Sequence, residues 1–232
     1  MGLTEVLRHG YFSDGPSHDS QCLTGTHGSC SPHSLKEVLG EGAWMRLPEA
    51  VRARFADADH AVDYVGEFEI VRASLLGRII AWACQLIGTP VAPDTGRNVP
   101  AIVHVGPAAR GVEWRREYRW PHRSPCLVRS TKVIGSDGTL VEELPACLCM
   151  SLDVYEKGAA LHFVSRAYYF EVTIPGVRRR LRLVLPLWLS PGITHVEHLD
   201  EAGGWFRFTM TVTHPLFGEI FYQTGHFHAL GG

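Results

Sequence analysis

A chain of 232 residues, 45% apolar and 20% charged, can bury a sizeable core, which excludes intrinsic disorder, collagen and coiled coil as descriptions of the whole. Its formal charge of −2 lacks the basic excess expected of a dedicated nucleic-acid binder. No apolar run reaches the roughly 20 residues of a membrane span, and no secretory signal opens the chain, so the six cysteines read as thiols and the expected compartment is the cytoplasm.

Residues 1–33 are rich in Ser, Gly, His and Asp and are expected to form a flexible extension, with 34–232 as one barrel-like domain. The extension carries His18, Cys22, His27 and Cys30, followed by His33. These are zinc-ligand types, but their spacing matches no standard finger and no apolar shell accompanies them, so no metal is assigned. Ser34 with Glu37 forms a capping box that starts a helix bearing Leu35, Val38, Leu39, Trp44 and Leu47 on one side, although Gly40 and Gly42 weaken it. Pro48 opens a second helix running to about Phe55.

The period then changes to two. Val62, Tyr64, Phe68 and Ile70 share one face of an extended run. Ser74 caps a third helix whose apolar stripe is Leu75, Leu76, Ile79, Ile80, Ala83 and Ile87, with Gly88 as terminator. Beyond Val99 the predicted strands are 99–105, 111–120, 126–134, 139–144, 147–156, 160–173, 179–188, 193–200, 204–214 and 218–229. Turn signals such as Ser136-Asp137-Gly138, Lys157-Gly158, Pro191-Gly192 and Gly203-Gly204 separate them. Many short strands with short turns make an antiparallel meander, and so many strands curl or close. The expected fold is mainly β (α+β): a barrel or strongly curved sheet with two or three N-terminal helices packed on it.

Strand alternation identifies the side chains that face the core. Val112, Trp114, Tyr118 and Trp120 share a face with Arg116, whereas Glu113, Arg115, Glu117 and Arg119 share the other. An inward arginine needs a partner or an anionic ligand. Ser130 and Lys132 lie with Val128 and Ile134, and Phe206, Phe208 and Met210 lie with Val212 and His214. Tyr168 or Tyr169 points inward, and one of Glu142 and Glu143 can meet Arg116 or Lys132. His226 and His228 share a face opposite Phe221 and Phe227; the phenylalanine face is expected inside, which disfavours a histidine metal site.

No nucleophile elbow, P-loop or dinucleotide fingerprint is present, and no catalytic triad is legible. The candidate ligand-binding set is Trp114, Arg116, Tyr118, Ser130, Lys132, Tyr168, Phe206, Phe208, Met210 and His214. Arg116, Lys132, His214 and Glu143 are the candidates for catalysis. No cofactor is expected.

From about Leu39 to Phe227 the chain resembles a bacterial family of domains of unknown function, family 4166. The resemblance rests on Ala43-Trp44 with Leu47-Pro48, Asn98-Val99-Pro100, Trp114-Arg115-Arg116-Glu117-Tyr118, Ser130-Thr131-Lys132 and Met150-Ser151-Leu152. It continues through Leu185-Pro186-Leu187-Trp188-Leu189 and through His214-Pro215-Leu216-Phe217-Gly218 to Gln223-Thr224-Gly225. Relatives occur alone or as C-terminal partners of saccharopine-dehydrogenase-like reductases, which implies a possible reductase partner, and supplies a family label without a catalytic set.

The leading expectation is binding of a small, mostly apolar metabolite or lipid-like ligand in a barrel cavity, with an arginine/lysine anchor. The alternatives are a cofactor-independent cyclase, isomerase or hydrolase of bacterial specialised metabolism on the same scaffold, and an interaction module that partners a reductase or a second copy of itself.

Overall fold

The computed structural model describes residues 34–56, 60–85, 92, 94–173 and 180–230. The His/Cys-rich extension, with His18, Cys22, His27 and Cys30, lies outside them.

Three short helices come first: α1 (Leu35–Leu39), α2 (Glu41–Arg46) and α3 (Glu49–Ala56). The Ser34 hydroxyl caps α1 by accepting from the Glu37 amide at 3.3 Å. The first expected helix is broken in two at Gly40, whose φ of +82° only glycine adopts without strain. There follow β1 (Val62–Ala73), α4 (Leu75–Gln85), β2 (Gly96–Pro107), β3 (Val112–Tyr118), β4 (Cys126–Ile134) and β5 (Leu140–Glu143). The chain continues through β6 (Leu148–Lys157), β7 (Ala160–Thr173), β8 (Arg180–Leu185), β9 (Ile193–Asp200), β10 (Trp205–His214) and β11 (Gly218–Ala229).

These strands form one antiparallel sheet in the order β6-β5-β4-β3-β2-β1-β11-β10-β9-β7-β8, and β6 also pairs with β7. That pairing closes a ten-stranded barrel and leaves β8 as an additional strand on the far half of β7. The hairpins carry the chemistry their turns require. Asp137 accepts from the Thr139 amide at 3.0 Å, and Gly158 and Ala159 both take positive φ in the two-residue β6–β7 turn.

Register fixes which residues face inward. Val103, Arg116 and Val128 are cross-strand partners, as are Trp114 and Ser130. Lys132 sits opposite Glu142, Glu142 opposite Met150, and Met150 opposite Tyr168. The expected face of β3 is therefore the inner one. In β1 the pattern breaks: the register shifts between Phe68 and Ile70, so Glu69 is an extra residue. Beyond this bulge Val71, not Ile70, is fully buried. Phe227 is buried, and His226 and His228 lie on the opposite face.

Helices pack at both ends of the barrel. Val51 and Phe55 of α3 reach into one mouth, where the Phe55 ring lies 5.8 Å from both Trp114 and Phe163 and 5.0 Å from His198. Trp44 and Leu47 are buried beside them against Leu140, Leu152 and Leu161. At the other mouth α4 lies over β11: the Ser74 amide donates to the Ile220 carbonyl at 2.9 Å. A Cβ on Gly77 would collide with that same carbonyl oxygen, so the close approach requires glycine. The apolar stripe expected on α4 is therefore split. Gly77 and Ala81 face the barrel, while Leu75, Ile79 and Trp82 are exposed.

Candidate functional site

Between the middle of the barrel and α4 lies a cavity of about 80 Å³. Its polar wall comes from β3, β4 and β5 and presents Arg116, Ser130 and Glu142. Its roof and far side are apolar and include Ile80, Ala81, Met210, Val212 and Ile220. Tyr118, Tyr168, Thr194 and Gln223 complete the lining with paired polar groups. The Tyr118 hydroxyl donates to Gln223 Oε1 at 2.9 Å, and Tyr168 shares a 2.5 Å hydrogen bond with Thr194 Oγ1. Burial pushes both phenols up to about 12, so they stay protonated at neutral pH.

Inside the barrel the charges are unevenly matched. Lys132 Nζ lies 3.2 Å from Glu142 Oε2, with both side chains largely withdrawn from solvent. Burial alone would raise the Glu142 carboxyl, but Lys132 and then Arg116 outweigh it and hold the group below the usual carboxylate range. Burial draws the Lys132 ammonium down while Glu142 opposes the shift. Ser130 Oγ helps to hold the carboxylate charged, although it is buried outside hydrogen-bonding geometry.

Arg116 feels the Glu142 carboxylate at longer range but does not share that close pairing. Its guanidinium carbon lies 5.9 Å from the Trp114 ring and 5.8 Å from Phe208, distances at which cation–π attraction operates. No carboxylate among the described residues forms an ion pair with it. On its other side Arg116 borders a void of about 10 Å³ shared with Trp114, His198, Phe206 and Phe208. That is room for about one water. His198 is 2% exposed, with Nδ1 unpartnered inside an aromatic cage. Burial, followed by the repulsion of Arg54, Lys132 and Arg116, holds it well below the ordinary histidine range, so it is neutral.

The structure distributes the candidate residues as follows. Arg116, Tyr118, Ser130, Tyr168 and Met210 line the main cavity. Trp114, Phe206 and Phe208 line only the small void, and Lys132 touches the site through Glu142. Glu143 lies on the outer face, 3.3 Å from Arg110, because β5 pairs Glu142 with inward Lys132. His214 is buried away from the cavity. Its Nδ1 accepts from the Leu216 amide at 3.2 Å, so its Nε2 carries the proton, 3.1 Å from the Trp188 carbonyl. With both ring nitrogens engaged, it ties the β10–β11 turn to the segment before β9. Tyr168 and not Tyr169 faces the interior, with Tyr169 buried on the other side of β7. His198, Thr194 and Gln223 belong to the site without standing in the sequence-derived candidate set, and Glu142 enters it as the carboxylate that meets Lys132. Only Glu142 gave a signal, as one of two alternating carboxylates.

No group of three or more metal-ligating side chains is assembled among the described residues. No described helix is long and apolar enough to cross a membrane. Exposed apolar side chains stand on α4 (Trp82), before β9 (Leu187, Trp188 and Leu189) and in the β10–β11 turn (Leu216 and Phe217), the last two segments being joined through His214.

Fold and site together define a closed antiparallel barrel, plugged by helices and holding an internal cavity with one charged wall. The family comparison is specific: residues 47–227 match the domain of unknown function DUF4166, and the chain belongs to that family. No curated protein and no solved structure matches it.

Proposed function

We propose that the barrel is a binding module for a small, mostly apolar metabolite, held in the cavity beneath α4 with Arg116 as its polar anchor and Lys132 acting through Glu142. One observation carries this reading: an internal cavity of about 80 Å³ whose apolar lining is interrupted by an arginine without a carboxylate partner. Apolar pockets with a few convergent polar groups are the usual form of a small-molecule site. An apolar void of about 150 Å³ admits a benzene-sized molecule, so the cavity as it stands suits a smaller ligand, and a larger one requires α4 to move. Cys84, Cys126 and Cys149, none of them in a disulfide, suit a reducing compartment, in keeping with a cytoplasmic protein.

Native mass spectrometry of the freshly purified full chain tests this. We expect a bound organic molecule that is lost when Val128→Phe fills the cavity. A chain that carries nothing, and whose melting temperature no apolar probe raises, overturns the reading.

The exposed apolar residues of 187–189 and 216–217, joined through His214, favour a second reading, a protein-interaction module, since larger exposed apolar patches mark docking sites. In that case Trp188→Ser with Phe217→Ser abolishes association and leaves cavity occupancy unchanged.

A further inference from the structure

We infer that the ligand is a monoanion: a small carboxylic acid with an apolar chain, its carboxylate on Arg116 and its chain under α4. The inference rests on the cavity-binding reading and names the charge of the ligand. Its basis is the sum of interior charges. Lys132 and Glu142 neutralise each other at 3.2 Å, and His198 is neutral. Arg54, at the plugged mouth, is offset by the negative charge of Asp200, while its neighbour Tyr64 is a neutral phenol held protonated by burial. Arg116 alone is left, which gives the cavity region one net positive charge.

A lysine in this position could shed its proton. A guanidinium cannot, because arginine keeps its proton in proteins. Arg116 is partly buried, and an ion without an ion-pair partner in such a setting carries a desolvation cost that two aromatic faces near 6 Å offset only in part. One anion removes the imbalance; a dianion would invert it and repel Glu142. Carboxylate is the monoanion whose two oxygens match the planar fork of arginine. Ser130 Oγ lies on the same wall, close enough to Glu142 to help hold that carboxylate charged, and is a nearby hydroxyl donor for the ligand. The opposite surface of Ile80, Ala81, Met210 and Val212 offers no polar side chain, so the rest of the ligand is apolar.

The test is equilibrium binding, by ligand-observed NMR on the full chain, of linear acids from acetate and propionate, which are smaller than benzene, to octanoate, which requires α4 to move, with the alcohols and amines of equal length. The expected order is carboxylate over alcohol over alkylammonium, with the acid at least tenfold tighter than its alcohol. In Arg116→Gln the acid should lose that advantage while the alcohol still binds. The wild-type order decides the matter even if this variant does not fold. Alcohols that match or exceed their acids in the wild type overturn the charge assignment and leave the cavity reading standing. If no member of any series binds, the cavity reading itself falls.

Discussion

The Lys132–Glu142 pair is the residue-scale feature with the largest energetic consequence. Removing one member strands the other in a low-dielectric interior, so Glu142→Ala should destabilise the fold by about 3–5 kcal/mol in urea unfolding. Replacing both, as Lys132→Met with Glu142→Leu, should cost much less, because no orphan charge remains. A double variant as unstable as Glu142→Ala would show that shape, and not charge, holds this wall. The acid limb follows from the same geometry. The folded pKa of Glu142 lies below its ordinary 4.5, so its contribution is in place above about pH 4.5 and is lost as pH falls through the folded value. His198 acts earlier. Its folded pKa is depressed below 6.5, so the unfolded chain takes up a proton that the folded chain refuses. Stability should fall below pH 6.5 by up to about 1.4 kcal/mol per pH unit from this residue alone. Urea titrations of His198→Phe at pH 6.5 and 5.0 should show a shallower loss than wild type; parallel losses would contradict the assignment.

At the scale of elements, the contact of α4 with β11 determines whether the cavity is roofed. Gly77→Ala places a methyl against the Ile220 carbonyl and should cost about 1–3 kcal/mol. It should also speed alkylation of Cys84, which lines the cavity from α4; an unchanged rate at Cys84 would mean that the helix does not form the lid. The seam between β7 and β9 is a second weak line. Their ladder spans only Leu161–Val164 with His195–His198, and beyond it the strands are joined by Tyr168 to Thr194 and by the Thr194 amide to Ser165 Oγ at 2.8 Å. Tyr168→Phe should therefore speed amide exchange at Thr194 and cost about 1 kcal/mol.

The strands themselves were legible, because turn residues and alternation mark each hairpin locally. β4, β7, β9 and β11 begin and end where the pattern places them. What escaped depends on contacts distant in sequence. The bulge at Glu69 follows from pairing with β11, and the outward face of α4 from where Gly77 meets Ile220. Glu142 and Glu143 become distinguishable only once β5 is registered on β4. His198 gave no signal because β9 alternates between two polar-rich faces, and only closure of the barrel makes one of them the interior.

For the whole molecule, closure turns a meander into a container. Ten strands remove all but the β8 edge, helices close both mouths, and the remaining space has charge on one wall, hydrocarbon facing it and paired polar groups between. The exposed aromatic and aliphatic residues of 187–189 and 216–217 offer a competing site for any amphipathic molecule, so the location of binding matters as much as its strength. Amide NMR of the full chain titrated with propionate, which is smaller than benzene, tests the central claim most directly. The account requires saturable shifts along the inner faces of β3, β4, β7 and β10 and along α4, with Arg116 and Ser130 among the largest. Shifts confined to residues 187–189 and 216–217, with the barrel interior unmoved, would contradict it.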